Sequence, residues 1–141
     1  MYLLDTNVVS EIRKIAAGRA DPAVAAWALA TDAALMSISV MTVRELEHGV
    51  GLKERTDLRQ GAVLRRWLTE DVLAGFAGRI IVIDEHVAQR CGELHVPDPA
   101  PERDAFIAAC ALVHNLTVVT RNTSDFERFD GLRLLDPWGP G

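Results

Sequence analysis

The sequence predicts a single α/β domain built on a small, mainly parallel sheet. Three observations predict it: apolar runs of strand length recur along the chain, segments of helical periodicity separate them, and no repeat or linker interrupts the series. The 141 residues, 49% of them hydrophobic, are enough for one domain (residues 1–141) with its own core, and they exclude intrinsic disorder. No apolar run approaches the roughly 18–20 residues that a membrane helix needs. The start Met1-Tyr2-Leu3-Leu4-Asp5 lacks the basic region and cleavage site of a signal peptide, so a cytoplasmic protein is expected.

Tyr2-Leu3-Leu4 reads as a buried strand ending at Asp5, with Thr6 or Asn7 capping a helix that reaches about Lys14. Gly18 to Asp21 break the pattern, and Pro22 opens a second helix whose inner face carries Val24, Trp27 and Ala28. Leu35-Met36-Ser37-Ile38 is the second strand. The helix after it places Val43, Leu46 and Val50 on one stripe and is expected to break near Gly51, with Thr42 and Glu45 spaced as a capping box. A further helix from about Arg55 to Leu73 carries Leu58, Leu64, Trp67, Leu68 and Val72, before Gly75 and Gly78 interrupt it. Arg79-Ile80-Ile81-Val82-Ile83 is the clearest strand, and Asp84 is a natural cap for the next helix. Three prolines between Val96 and Pro101 exclude regular structure. The alanine-rich stretch Glu102 to His114 is apolar nearly all round and is expected to be a buried helix. Leu116 to Val119 is the next strand, and Leu132 to Leu135 the last, before Asp136-Pro137-Trp138.

Open α/β sheets form their sites beyond the carboxyl ends of strands, where the strand order reverses. Four acids fall near that edge. Asp5 directly follows the first strand, and Glu45 lies in the first turns of the helix after the second. Asp104 opens the alanine-rich helix, and Asp125 follows Val118-Val119 after a polar turn. A carboxylate after Tyr-Leu-Leu is expected to be buried, which is costly unless it is paired or bound to metal. Taken singly, Asp104 and Asp125 also suit helix dipoles. Taken together, converging carboxylates repel one another and take up protons or a cation. A set of oxygens without His or Cys suits magnesium or manganese. Such an ion acidifies water and polarises a phosphoryl group, so phosphodiester hydrolysis is the natural reaction.

The remaining composition narrows the choice. Cys91 and Cys110 sit in apolar helical contexts and read as buried thiols, and His48, His86, His95 and His114 are scattered, so no zinc site is expected. The net charge of −5 argues against a protein that simply coats nucleic acid. Thirteen of the fifteen basic residues are Arg, which suits phosphates and protein carboxylates alike. Arg55, Arg59, Arg65 and Arg66, with Lys53, form either a basic face along a substrate path or a solvated helix surface. Trp67 belongs to the apolar stripe and reads as core or dimer contact.

At this point the sequence resembles the PIN-domain family, in particular the VapC-type toxin ribonucleases of bacterial toxin–antitoxin pairs. Leu3-Leu4-Asp5-Thr6-Asn7 is similar to the family's opening motif, and Ser39 to Leu46, with Glu45, resembles its second acid on a helix. Asp104-Ala105-Phe106-Ile107-Ala108-Ala109 resembles the third acid, with Phe106 where an aliphatic residue is common. Thr120-Arg121-Asn122-Thr123-Ser124-Asp125-Phe126 resembles the final motif, and Leu134-Leu135-Asp136-Pro137-Trp138 is similar to the ending of this branch. The resemblance covers nearly the whole chain. It implies a three-layer α/β/α domain, endoribonuclease activity, inhibition by a small antitoxin, and a homodimer or larger assembly. It also implies that Thr6, and Thr120 or Asn122, support the site; Asn7 is either such a support or a helix cap.

Rival functions are separable. A phosphatase using Asp5 as nucleophile would usually carry a second Asp at the position of Asn7. A phospho-acceptor receiver would want a late lysine, yet none follows Lys53. A non-catalytic binding module and a DNA nuclease of the same metal chemistry also stand as alternatives, since nothing in the residues reads a 2′-hydroxyl.

Overall fold

The computed structural model describes residues 1–139. Five strands, β1 (Tyr2–Leu4), β2 (Met36–Ser39), β3 (Ile80–Ile81), β4 (Thr117–Val119) and β5 (Leu134–Leu135), form one sheet in the order β3-β2-β1-β4-β5. All four pairings are parallel. The helices are α1 (Thr6–Ile12), α2 (Pro22–Ala30), α3 (Val40–Thr56), α4 (Leu58–Arg66), α5 (Glu85–Glu93) and α6 (Glu102–His114).

Strand alternation explains the layers. Leu3 and Val118 point to one face and pack on α5 and α6 through Val87, Ile107 and Ala111. Leu4 and Val119 point to the other face and pack on α1 and α3 through Val8, Leu46 and Val50. With both faces covered, the strands read as continuous apolar runs. Helix α6 is buried on nearly every side, from Ala105 to Ala111. It ends at Asn115 in the left-handed conformation (φ 56°), a usual way to stop a helix.

Several boundaries differ from the sequence expectation. Helix α3 does not break at Gly51 but continues to Thr56, because Thr42, Leu46 and Val50 lie one above another and are all buried. That packing outweighs about 1 kcal/mol of helix propensity lost at each glycine. The expected helix from Arg55 to Leu73 is divided by Asp57, which caps α4 by accepting from the Gln60 N–H. Beyond α4 the chain winds as a π-helical stretch, Trp67–Leu73. The strand expected over Arg79 to Ile83 shrinks to Ile80–Ile81, since β3 is an edge strand that pairs only with Ile38 and Ser39. The strand expected over Leu132 to Leu135 shrinks to Leu134–Leu135. The caps move too: Asp5, not Thr6 or Asn7, caps α1, and Ser39 rather than Thr42 caps α3.

Gly61 is where α4 meets α3. A Cβ there would stand 2.5 Å from the Glu54 Cα, closer than real contacts allow. Gly61→Ala is therefore expected to cost about 1–3 kcal/mol by forcing the two helices apart. Chemical denaturation checks this, and a variant as stable as wild type would show that the helix pair yields freely.

Candidate functional site at the carboxyl edge of the sheet

The strand order reverses around β1, with β2 and β3 on one side and β4 and β5 on the other. A crevice therefore opens beyond β1 and β4, where Asp5 and Thr120 are the next residues. Asp5 is 1% exposed, and its role begins as local structure: Oδ1 accepts the Thr6 N–H at 2.8 Å, capping α1. Oδ2 accepts the Thr120 hydroxyl at 2.8 Å.

Arg103 joins three of the four acids. Its Nε and Nη2 grip Glu45 at 2.6 and 2.9 Å, Nη2 also reaches Asp5 Oδ1 at 2.5 Å, and Nη1 reaches Asp104 Oδ1 at 2.9 Å. Asp104 is buried in the first turn of α6 rather than opening it, since the helix begins two residues earlier. Glu45 also receives the Thr6 hydroxyl at 2.5 Å, and Thr6 Oγ1 lies 3.1 Å from the buried Thr42 hydroxyl. Glu45 thus serves the crevice, not a capping box. Burial pushes its carboxyl upward, but hydrogen bonds from Arg103 and Thr6 and the Arg103 charge outweigh this, so its pKa lies below the ordinary 4.5. Arg103 is itself held charged, because Glu45 and Asp5 outweigh its burial.

The loop after β4 closes the other side. Thr120 is fully buried, and its oxygen accepts from Asn7 Nδ2 at 3.4 Å and from the Asn122 N–H at 3.1 Å. Asn7 Oδ1 accepts the Arg121 N–H at 3.3 Å. Asn7 is thus a brace between α1 and this loop, and Asn122 contributes its backbone while its side chain is exposed. Asp125 ends the 3₁₀ turn Thr123–Asp125 in the loop that follows Thr120. It is exposed and, among the described residues, takes part in no side-chain hydrogen bond or ion pair with Asp5, Glu45 or Asp104.

Arg103 was not singled out by sequence reasoning. A signal existed, a cation directly before a buried acid at a helix start, where the dipole disfavours positive charge. Arg13 was missed as well: it stacks 5.7 Å over Trp67, and both line a cleft of about 270 Å³ that also touches Thr6 and Glu45. Trp67 is half-buried at that cleft, not wholly core.

The basic face behaves differently from one of its two readings. Arg65 is committed to Glu47 at 2.6 Å and Glu54 at 2.9 Å, fastening α4 to α3, and Arg66 faces Glu70 at 3.7 Å. Arg55 and Arg59 are exposed on the same helix pair. Arg65 is a structural clasp rather than a waiting phosphate ligand.

Among the described residues, one group of three or more possible ligands has donor atoms within 4.8 Å of one another, and it is Cys91, His95 and Glu102. Cys91 and His95 stand four apart, a short spacing that the sequence reading passed over. His95 Nδ1, however, accepts the Ala100 N–H at 2.9 Å, so the ring proton sits on Nε2, which faces Glu102 at 3.3 Å. A protonated nitrogen is no ligand, and burial pushes the Cys91 thiol up, away from the thiolate. The acids Asp5, Glu45 and Asp104 gather around Arg103 instead, although no choice of one oxygen from each brings all three within 4.8 Å of one another. They offer oxygen donors alone and three negative charges against the one of Arg103.

Comparison with known proteins identifies the family and the fold. The family described as PIN domain matches residues 2–132. The chain is 33% identical over 145 residues to the VapC ribonuclease Y4jK of Sinorhizobium fredii, covering 99% of each. It superposes on the crystal structure of FitAcB from Neisseria gonorrhoeae with a TM-score of 0.87 and 34% identity, covering 98% of this chain and 99% of that one. A toxin–antitoxin complex from Klebsiella pneumoniae gives a TM-score of 0.67 and 28% identity, covering 97% and 98%.

Proposed function

The chain belongs to the PIN-domain family, and from that premise we propose that it is an endoribonuclease using a divalent cation, magnesium or manganese, held by Asp5, Glu45 and Asp104. One observation carries the reading: three carboxylates, from the residue after β1, from α3 and from α6, gather around one arginine at the strand-order reversal with more negative charge than it balances. Asp125, in the loop that follows Thr120, would complete the set through water, since magnesium keeps several waters in such sites. RNA as substrate is supported by the ribonuclease name of the Sinorhizobium relative.

A cation held there supplies a polarised phosphoryl oxygen and an acidified water. The rest falls to the chain's own groups. Asp5 is set in place by Thr120 and the Thr6 N–H, and Asn7 ties the Thr120 loop to α1, so the central carboxylate cannot rotate. The depressed pKa of Glu45 makes it a weak base while Arg103 grips it, so Glu45 is a ligand before it is a proton acceptor. Arg13, beside Trp67 in the adjoining cleft, is placed to meet a phosphate of the RNA strand.

The toxin–antitoxin complex from Klebsiella pneumoniae among the structural neighbours supports an antitoxin as partner in a larger assembly. No helix among the described residues is long and apolar enough to cross a membrane.

The test is cleavage of a labelled single-stranded RNA by the purified chain, with its DNA counterpart alongside. Cleavage of RNA, its loss on adding EDTA and its return with excess Mg²⁺ or Mn²⁺ are expected. Cleavage indifferent to EDTA sinks the metal, and preference for DNA sinks the substrate.

A further inference from the structure

The acids of the site are not simply waiting for a cation. Arg103 spends four hydrogen bonds on them, two to Glu45, one to Asp5 and one to Asp104. Two of the acceptor oxygens are doubly used. Asp5 Oδ1 already takes the Thr6 N–H, so the guanidinium fills its second lone pair. Glu45 Oε1 already takes the Thr6 hydroxyl, and Arg103 Nη2 fills its second as well. A carboxylate oxygen with both lone pairs used has none left for a metal.

We infer that Arg103 is an internal competitor of the divalent cation, occupying the same carboxylate oxygens and setting the cation concentration at which the site fills. This rests on the metal-binding reading proposed above and adds to it a residue that opposes filling. A purely structural ion pair would not need its carboxylates to come from three separate elements, nor to be those that mark the strand-order reversal. Arg103 is also placed to leave. It starts from the first turn of α6, its side chain is 34% exposed, and it is the only basic partner of all three acids among the described residues. If the acids held a cation, the guanidinium would give up these oxygens and turn to solvent, which its partial exposure allows.

Two consequences follow with opposite signs. Removing the guanidinium leaves three carboxylates without their counter-charge, so the metal-free protein loses stability. The same change frees their oxygens, so the cation binds more tightly.

The experiment measures Mn²⁺ alone, by isothermal titration calorimetry and by thermal unfolding with and without Mn²⁺, on wild type, Asp5→Asn, Arg103→Gln, Arg103→Lys and Asp5→Asn/Arg103→Gln. Arg103→Gln is expected to bind Mn²⁺ at least about tenfold more tightly than wild type. It should also melt lower without Mn²⁺ and gain more from it. Arg103→Lys, which keeps charge but cannot bridge three groups, falls between, and the double variant loses the tight site. Equal affinity in wild type and Arg103→Gln, both abolished by Asp5→Asn, overturns the competition and leaves the metal site standing. Absence of Asp5-dependent binding in every folded protein overturns both. Should Arg103→Gln fail to fold, the wild type decides by NMR. Mg²⁺ titration should strip the Arg103 Nε–H resonance, assigned by its loss in Arg103→Lys, of its exchange protection. Persistence of that protection at saturating Mg²⁺ overturns the inference.

Discussion

Asp5→Asn is expected to lower RNA cleavage by about 10³-fold while the chain still folds. Most of its shape is kept: an asparagine oxygen still accepts the Thr6 N–H that starts α1, while the bond from the Thr120 hydroxyl, which needs an acceptor, is lost. What is lost is the charge of a carboxylate that is itself only 1% exposed, so little solvent screens it. Losing several kcal/mol of stabilisation of a cation and the charge developing around it corresponds to roughly that factor in rate. The structural penalty is smaller, about 1–2 kcal/mol, because Arg103 keeps Glu45 and Asp104. Single-turnover cleavage and circular dichroism separate the two effects. A folded variant within tenfold of wild type would remove Asp5 from the chemistry.

Glu45→Gln is expected to cost about 10²-fold in cleavage, since it removes a charged ligand but leaves the other two. It carries a second signature, in acid. The Glu45 pKa is depressed in the folded protein, so its contribution to stability is present above the ordinary 4.5 and is lost as pH falls through the lower folded value. Wild type should therefore exceed the variant in melting temperature at neutral pH, and the gap should narrow as the pH falls below the ordinary 4.5. A gap unchanged across that range would mean that Arg103 and Thr6 do not hold Glu45 in solution.

Both expectations depend on a site of which the sequence displays only parts. Asp5 was legible because a carboxylate directly after an apolar strand is physically unusual, and it is indeed buried. Asp104 was legible as the acid of a helix too apolar to be on the surface. Glu45 had two readings at equal spacing from Thr42, and only the fold decides between them, by giving the cap to Ser39 and turning Glu45 towards Arg103. Arg103 was passed over because its meaning lies in residues 98 and 58 positions away, which no local pattern encodes. Arg65 shows the reverse: part of a basic run along the chain, it is spent in space on Glu47 and Glu54.

By itself, then, the sequence determined the layered α/β architecture, the parallel sheet and the set of candidate acids. Hydrophobic period and strand length are local quantities, and burial of the apolar faces leaves few other arrangements. Only the tertiary structure decided which charges meet. It ran α3 through its glycines because a buried stripe outweighs propensity, and it cut β3 to two residues because an edge strand has one partner. It also set a guanidinium among Asp5, Glu45 and Asp104, which does not reach the exposed Asp125. The electrostatic energy of a charge depends on distance and surroundings, and neither is written in sequence order.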